Sequence, residues 1–218
     1  MRQRESSILV GAALLLVATL QPSLAATSDK IIENVFASMT LDGKKIGQIH
    51  FTLISKPTGE IEELHTNASV SVFGVKLYNF SQHLHETWRD AAMQTLRSDA
   101  DDNGKDERVQ VKRVGDEFDA VRNDKPVELP GKLFPDSIWH YALTKQTRLF
   151  NSVDLKIMNV SVARKEETID YLGKPTAAER FDFTGDWHAT LWFGKNKRLL
   201  KAHRMVGDRE IIITIDSD

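Results

Sequence analysis

The residues best suited to holding a hard cation are Asp99, Asp101 and Asn103, followed by Gly104. Oxygen donors at alternate positions ahead of a glycine are how a calcium loop begins. Its twelfth position needs a bidentate glutamate and is Gln110 here. The run therefore reads as an acidic hairpin loop, and no metal is expected. His83 and His85 lie two apart, which on a strand puts both rings on one face, within reach of a shared metal. They share that face with Asn79, Ser81 and Thr87, so they read as solvated side chains. The opposite face carries Tyr78, Phe80, Gln82, Leu84 and Trp88, with Glu86 among them. A carboxylate on an apolar face must be hydrogen-bonded, paired or protonated. Next to a histidine in a cleft, Glu86 would suit general acid–base chemistry.

Other chemistries are excluded by what is missing from the sequence. The chain has no cysteine, which removes thiol catalysis, iron–sulfur clusters and thiolate zinc sites. It contains no G-x-S-x-G elbow, Walker loop or G-x-G-x-x-G turn, so no cofactor is expected. A net charge of −2 gives no basic footprint for nucleic acid. What remains is a set of large aromatics. Trp88, Trp139, Tyr141, Trp187, Trp192 and Phe193, with Glu86 beside them, are the candidate lining of an apolar ligand site.

The elements that must position these groups are strands. Turn residues punctuate the chain at the spacing of an antiparallel meander. The clearest hairpin joins Val35–Leu41 to Lys44–Leu53 through Asp42-Gly43, a pair suited to a type I′ turn. A two-residue loop would set Met39 opposite Ile46 and Phe36 opposite Ile49. Further strands are expected at 60–72, 76–88, 93–98, 108–114 and 117–122, and at 177–184, 187–193, 198–205 and 209–216. Pro130 to Pro135 reads as a loop. Asp136-Ser137 reads as the cap of a short helix ending near Gln146. The helix formers between Glu86 and Arg97 are the main competing assignment. A sheet with one greasy face has to cover it, and with so little helix it does so by curling. The fold class is thus mainly β: a single curved antiparallel sheet or barrel of about 9–12 strands with one short helix as plug or lid.

Residues 1–25 read as a secretory signal peptide. Arg2 and Arg4 precede the apolar run Ile8–Leu20, and Ser23-Leu24-Ala25 is a small-x-small cleavage pattern. The run is shorter than the about 20 apolar residues a spanning helix needs, so no transmembrane span is expected. Residues 26–218 then form a single β-rich domain, periplasmic or secreted.

Several short motifs follow one another along the chain: Leu41-Asp42-Gly43-Lys44 with Ile46-Gly47, Glu86-Thr87-Trp88, Ser98 to Gly104, Ser137-Ile138-Trp139 and Leu191-Trp192-Phe193. In these the chain resembles an uncharacterised family of exported Gram-negative bacterial proteins, domain-of-unknown-function family 6134. The resemblance implies export and a β-rich architecture and brings no catalytic residues with it. By shape, such folds are similar to periplasmic carriers that hold a lipid or lipoprotein in a curved sheet, which is an argument from fold alone. The expected function is a periplasmic binding or carrier protein for an apolar or lipid-like small molecule. The alternatives are an envelope structural protein that engages a protein partner through a sheet edge, and a carboxylate-dependent hydrolase built on Glu86.

Overall fold

The computed structural model describes residues 30–217 apart from 57–58, 73–74 and 207–208. The segment read as a signal peptide lies outside the described residues. The described chain is built almost wholly of strands: β1 (Lys30–Leu41), β2 (Lys44–Lys56), β3 (Gly59–Val72), β4 (Val75–Arg89), β5 (Ala92–Asp102), β6 (Lys105–Val114), β7 (Glu117–Arg122), β8 (Lys125–Leu129), β9 (Phe134–Pro135), β10 (Arg148–Phe150), β11 (Ile157–Tyr171), β12 (Lys174–Gly185), β13 (Ala189–Phe193), β14 (Leu199–Val206) and β15 (Arg209–Ser217).

All fifteen belong to one sheet, in the order β8-β7-β6-β5-β4-β3-β2-β1-β15-β14-β13-β12-β11-β10-β9. This order forces curvature. Laid flat, the two edge strands of a fifteen-stranded sheet would stand about 67 Å apart. Yet β8 ends at Leu129 and β9 begins at Phe134, and five residue steps reach at most about 18 Å. The sheet must therefore wrap until its edges approach each other. Side chains from the two ends do meet. The Phe118 ring of β7 lies 6.1 Å from that of Phe150 in β10, and Trp88 of β4 lies 5.1 Å from Phe134 of β9. The result is an open, curled sheet with a hydrophobic inside, as the period-two sidedness of the sequence requires.

The strand count exceeds the nine to twelve expected. The additions are β8, β9, β10 and the fifteen-residue β11. β11 escapes a search for alternating hydrophobicity because its middle, Ala163–Glu167, is exposed or half-exposed and charged. Pairing with β12 along its length holds it, from Val160 opposite Gly185 to Tyr171 opposite Lys174. The sheet is also not purely antiparallel. β9 and β10 run parallel, joined by residues 136–147, and a parallel pair needs a crossover of about that length.

That crossover is not the helix expected from Asp136 to Gln146. Only Tyr141–Lys145 is helical, as one 3-10 turn. The amides of His140, Leu143 and Gln146 bond to carbonyls three residues back. Asp136 and Ser137 are occupied elsewhere. The Asp136 carboxylate accepts from the Ser152 amide at 2.9 Å and from Asn151 Nδ2 at 3.1 Å, and the Ser137 hydroxyl donates to Glu86. Burial pushes the Asp136 carboxyl above its ordinary range, opposed by the Arg204 charge and the Ser152 amide. The competing helix over Glu86–Arg97 is absent as well. That stretch is the β4–β5 hairpin, turned by Asp90 and Ala91, both at positive φ.

The first hairpin forms through Asp42-Gly43 as expected, with a correction in register. Leu41 faces Lys44 and Thr40 faces Lys45, but Met39 faces Gly47, so Ile46 is the extra residue of a bulge. Beyond it Ala37 faces Ile49, and Phe36 faces His50 and stacks on it with ring centroids 4.4 Å apart.

The segment from Leu133 to Leu155 fills the curl. Leu143, Leu149 and Phe150 are fully buried and pack with Phe181, Phe193 and Leu96 of the wall. Gly131 admits the chain to this position. A Cβ there would lie 1.9 Å from the Asp116 carbonyl oxygen, so the approach requires glycine.

One buried ionic group braces the β6–β7 hairpin. Glu107, 3% exposed, accepts from Arg122 through both carboxylate oxygens at 2.8 Å, and from Asn123 Nδ2 at 2.9 Å. The Arg122 hydrogen bond, with help from Lys105 and Asn123, holds the Glu107 carboxyl down at about 2 against an ordinary 4.5. A depressed carboxylate stabilises the fold above its unfolded-chain value, and that contribution disappears as pH falls through the folded value. The urea midpoint should therefore decline from pH 4.5 towards pH 2 with a component that Glu107→Gln lacks. An identical acid limb in the variant would show that the carboxylate does not report on folding.

Candidate functional site

The curled sheet has two mouths. At the first, the starts of β1 and β14 and the ends of β2, β11 and β15 surround a cavity of about 270 Å³. Period-two sidedness supplies the apolar wall. Val35 on β1, Phe51 and Leu53 on β2 and Ile215 on β15 all point inward, together with Leu199 from β14. The floor is the crossover. Trp139 lies flat on Phe51, with ring centroids 4.4 Å apart and planes 6° from parallel. His140 rests on Trp88 at 3.9 Å, and Tyr141 meets Phe181 and Phe193 edge-on at 5.6 and 5.2 Å. Tyr171, from the tip of the β11–β12 hairpin, closes one side.

Polar side chains also border the cavity: Glu33, His140, Asn196, Lys197 and Arg198. Glu33 pairs with Arg198 at 3.2 Å, and Glu179 with Arg164 at 3.0 Å. The Tyr141 hydroxyl donates to Glu179, and that bond, followed by burial, holds the phenol above its ordinary pKa. Tyr141 therefore stays neutral and positions the floor. Lys197 Nζ sits 5.1 Å from the Tyr141 ring centroid. Trp139 Nε1 is buried with no hydrogen-bond partner among the described residues.

Of the seven residues expected to line an apolar site, Trp139 and Tyr141 border this cavity. Phe193 is wholly buried and supports Tyr141 from behind. Trp88 and Glu86 lie beneath the floor, 2% and 1% exposed. Both Glu86 oxygens are engaged, one by Trp88 Nε1 at 2.9 Å and the other by the Ser137 hydroxyl. The carboxylate ties β4 to the crossover and does not line the cavity. Trp192 points to the outer face, where its indole donates to Glu167 and lies under Arg180 and Lys201. Trp187 belongs to the other mouth. It is buried against Phe183 and borders a more open depression of about 410 Å³ with Asp186, His188, Arg204 and Met205. That depression is the more open of the two and is bordered by three charged or titratable side chains among five. Glu33, Phe51, Leu53, Tyr171, Lys197 and Leu199 were not anticipated. The inward parity of Val35 and Phe51 was readable in the sequence; their meeting with Leu199 was not.

The other candidates resolve as structure. Asp99–Asp102 lie in β5, and Asn103-Gly104 form its turn at positive φ, with Asp101 accepting from the Gly104 amide at 2.7 Å. His83 is exposed. Among the described residues no three His, Asp or Glu side chains converge on a metal position, and no helix is long and apolar enough to cross a membrane.

Comparison with known proteins agrees with this architecture. The family described as "Domain of unknown function (DUF6134)" matches residues 38–214. No curated protein matches. Among solved structures, the chain is similar to a β-barrel-like protein of domain-of-unknown-function family DUF1849 from Brucella abortus. The two share 14% identity with a TM-score of 0.59, over 84% of this chain and 94% of that one. At that identity the likeness concerns the fold alone.

Proposed function

The chain belongs to the DUF6134 family, and we propose that this member is an exported binding or carrier protein that holds an apolar or lipid-like ligand in the cavity at the first mouth. The observation that carries the reading is that cavity: about 270 Å³ between the sheet wall and the crossover, bounded by Phe51, Trp139, Tyr141 and Tyr171. A concave site with apolar and aromatic walls and a few polar groups at its edge is how small-molecule sites are built. Export rests on the N-terminal pattern, Arg2 and Arg4 before an apolar run that ends at Ser23-Leu24-Ala25. It predicts a mature protein in the periplasm or medium beginning at Ala26 or Thr27. Intact-mass measurement on fractionated cells checks this, and a full-length cytosolic product would contradict it.

The alternatives receive less support. Attachment to a protein partner through a sheet edge needs a long free strand. The terminal strands are β8, five residues including Pro126, and β9, two residues ending in Pro135. Among the described residues β11 is also unpaired on its outer side beyond Val160, but that edge is charged over residues 164–167, which blunts strand addition. Proline at an edge removes a ladder donor. A hydrolase built on Glu86 would need that carboxylate to face substrate, and it lies beneath the floor with both oxygens engaged.

Filling the cavity tests the reading. Leu53 is half-buried on the cavity wall, so Leu53→Trp can occupy the space with little disturbance of the core. Titration with 1-octanol should give saturable binding to the native protein. The variant should bind about tenfold or more weakly, with its Tm within a few degrees of the original. Equal binding by a folded variant would place the ligand elsewhere.

A further inference from the structure

We infer that the ligand of this cavity is a single-chain amphiphile with an anionic headgroup, its tail between Phe51 and Ile215 and its anion at Lys197. The inference rests on the apolar-binding reading above and specifies the chemistry of the same site.

The charge arrangement at the rim leads to it. Glu33 lines the cavity and Glu179 accepts from Tyr141 of its floor, and each carboxylate has its own guanidinium: Glu33 with Arg198 and Glu179 with Arg164. Lys197 differs. Among the described residues no carboxylate pairs with it, and its ammonium lies over the Tyr141 ring. Its backbone is set by a tight turn, in which the Lys197 amide bonds to the Gly194 carbonyl and the Gly194 amide to the Arg198 carbonyl, both at 2.9 Å, with Lys197 at a φ of 62°. The turn presents the side chain to the cavity it lines. A cation over an exposed aromatic face is held only weakly, whereas a charge-assisted hydrogen bond to an anion is about twice as strong as a neutral one. Lys197 favours an anion, and a cationic headgroup would be repelled by it. Size limits the tail. The cavity's 270 Å³ falls just under the about 300–1,000 Å³ of sites for drug-sized ligands, which suits one chain and excludes a two-chain lipid.

Calorimetric titration of the mature protein near neutral pH with octanoate, octyl phosphate, 1-octanol and octyltrimethylammonium tests this. One or both anionic probes should bind about tenfold tighter than octanol, and the choice between them identifies a carboxylate or a phosphate source. The cationic probe should bind worst. Lys197→Gln should bring the anionic probes to the octanol level, while Lys197→Arg retains the preference. Equal binding of octanol and both anions, or a preference that survives Lys197→Gln, overturns the inference and leaves the apolar site intact. Absence of binding by octanol and the anions alike overturns the apolar reading and this inference together.

Discussion

Phe150→Ala should lower the stability of the protein by about 3–5 kcal/mol, the range for removing a fully buried phenylalanine. Phe150 is 0% exposed and belongs to β10, the last full strand before the sheet's inner edge. Its ring meets Phe118, which sits on β7 near the opposite edge. One side chain thus joins the two ends of the wrapped sheet, and its removal leaves a void that neither end can close alone. For a chain of this size the loss corresponds to a fall in Tm on the order of 10 °C. Thermal and urea unfolding would measure it. A loss below about 1 kcal/mol would mean that the inside of the curl is not packed as described.

Glu86→Ala should be nearly as damaging, at about 2–5 kcal/mol. The substitution removes the acceptor for the Trp88 indole and for the Ser137 hydroxyl, both buried, so two donors lose their partner in a dry environment. Unsatisfied buried donors cost about 1–3 kcal/mol each. Ser137→Ala should cost about 1–2 kcal/mol in the native background. In the Glu86→Ala background it should cost clearly less, because the bond it would break is already gone. The shortfall is the coupling that ties β4 to the crossover. Strict additivity in this cycle would show that the two residues do not act through each other. Because His140 rests on Trp88, both variants should also weaken octanol binding, although neither residue lines the cavity.

Much of the wall was legible in the sequence because its signals are local. Asp42-Gly43 fixes the first turn, and the alternation of Leu84, Glu86 and Trp88 against His83 and His85 separates inside from outside. The bulge at Ile46 was not legible, since two-residue turn chemistry says nothing of an extra residue three positions later. β11 was missed because it buries little; long pairing to β12 holds its charged middle in place. The crossover carried misleading signals. Asp136 and Ser137 are good capping residues, but their side chains satisfy Ser152, Asn151 and Glu86, which are distant in sequence.

The candidate site was less legible than the fold, for a topological reason. The cavity exists because β1 pairs with β15 and brings the two halves of the chain together. Phe51 and Ile215 become neighbours only through that closure. Aromatic character alone selected Trp187 and Trp192, which the sheet sends to the far mouth and to the outer face. Trp139 and Tyr141 border the cavity because they sit on the segment expected to plug the curl, although it folds as a 3-10 turn with extended flanks.

The most direct measurement is the set of nuclear Overhauser contacts between the chain protons of bound 1-octanol and the side chains of the isotopically labelled protein. The account predicts contacts from the terminal methyl and its neighbours to Phe51, Trp139 and Ile215, and none to Trp187 or Met205 at the other mouth. Contacts clustered at Trp187 and Met205, or a saturated complex with none to the first mouth, would contradict it.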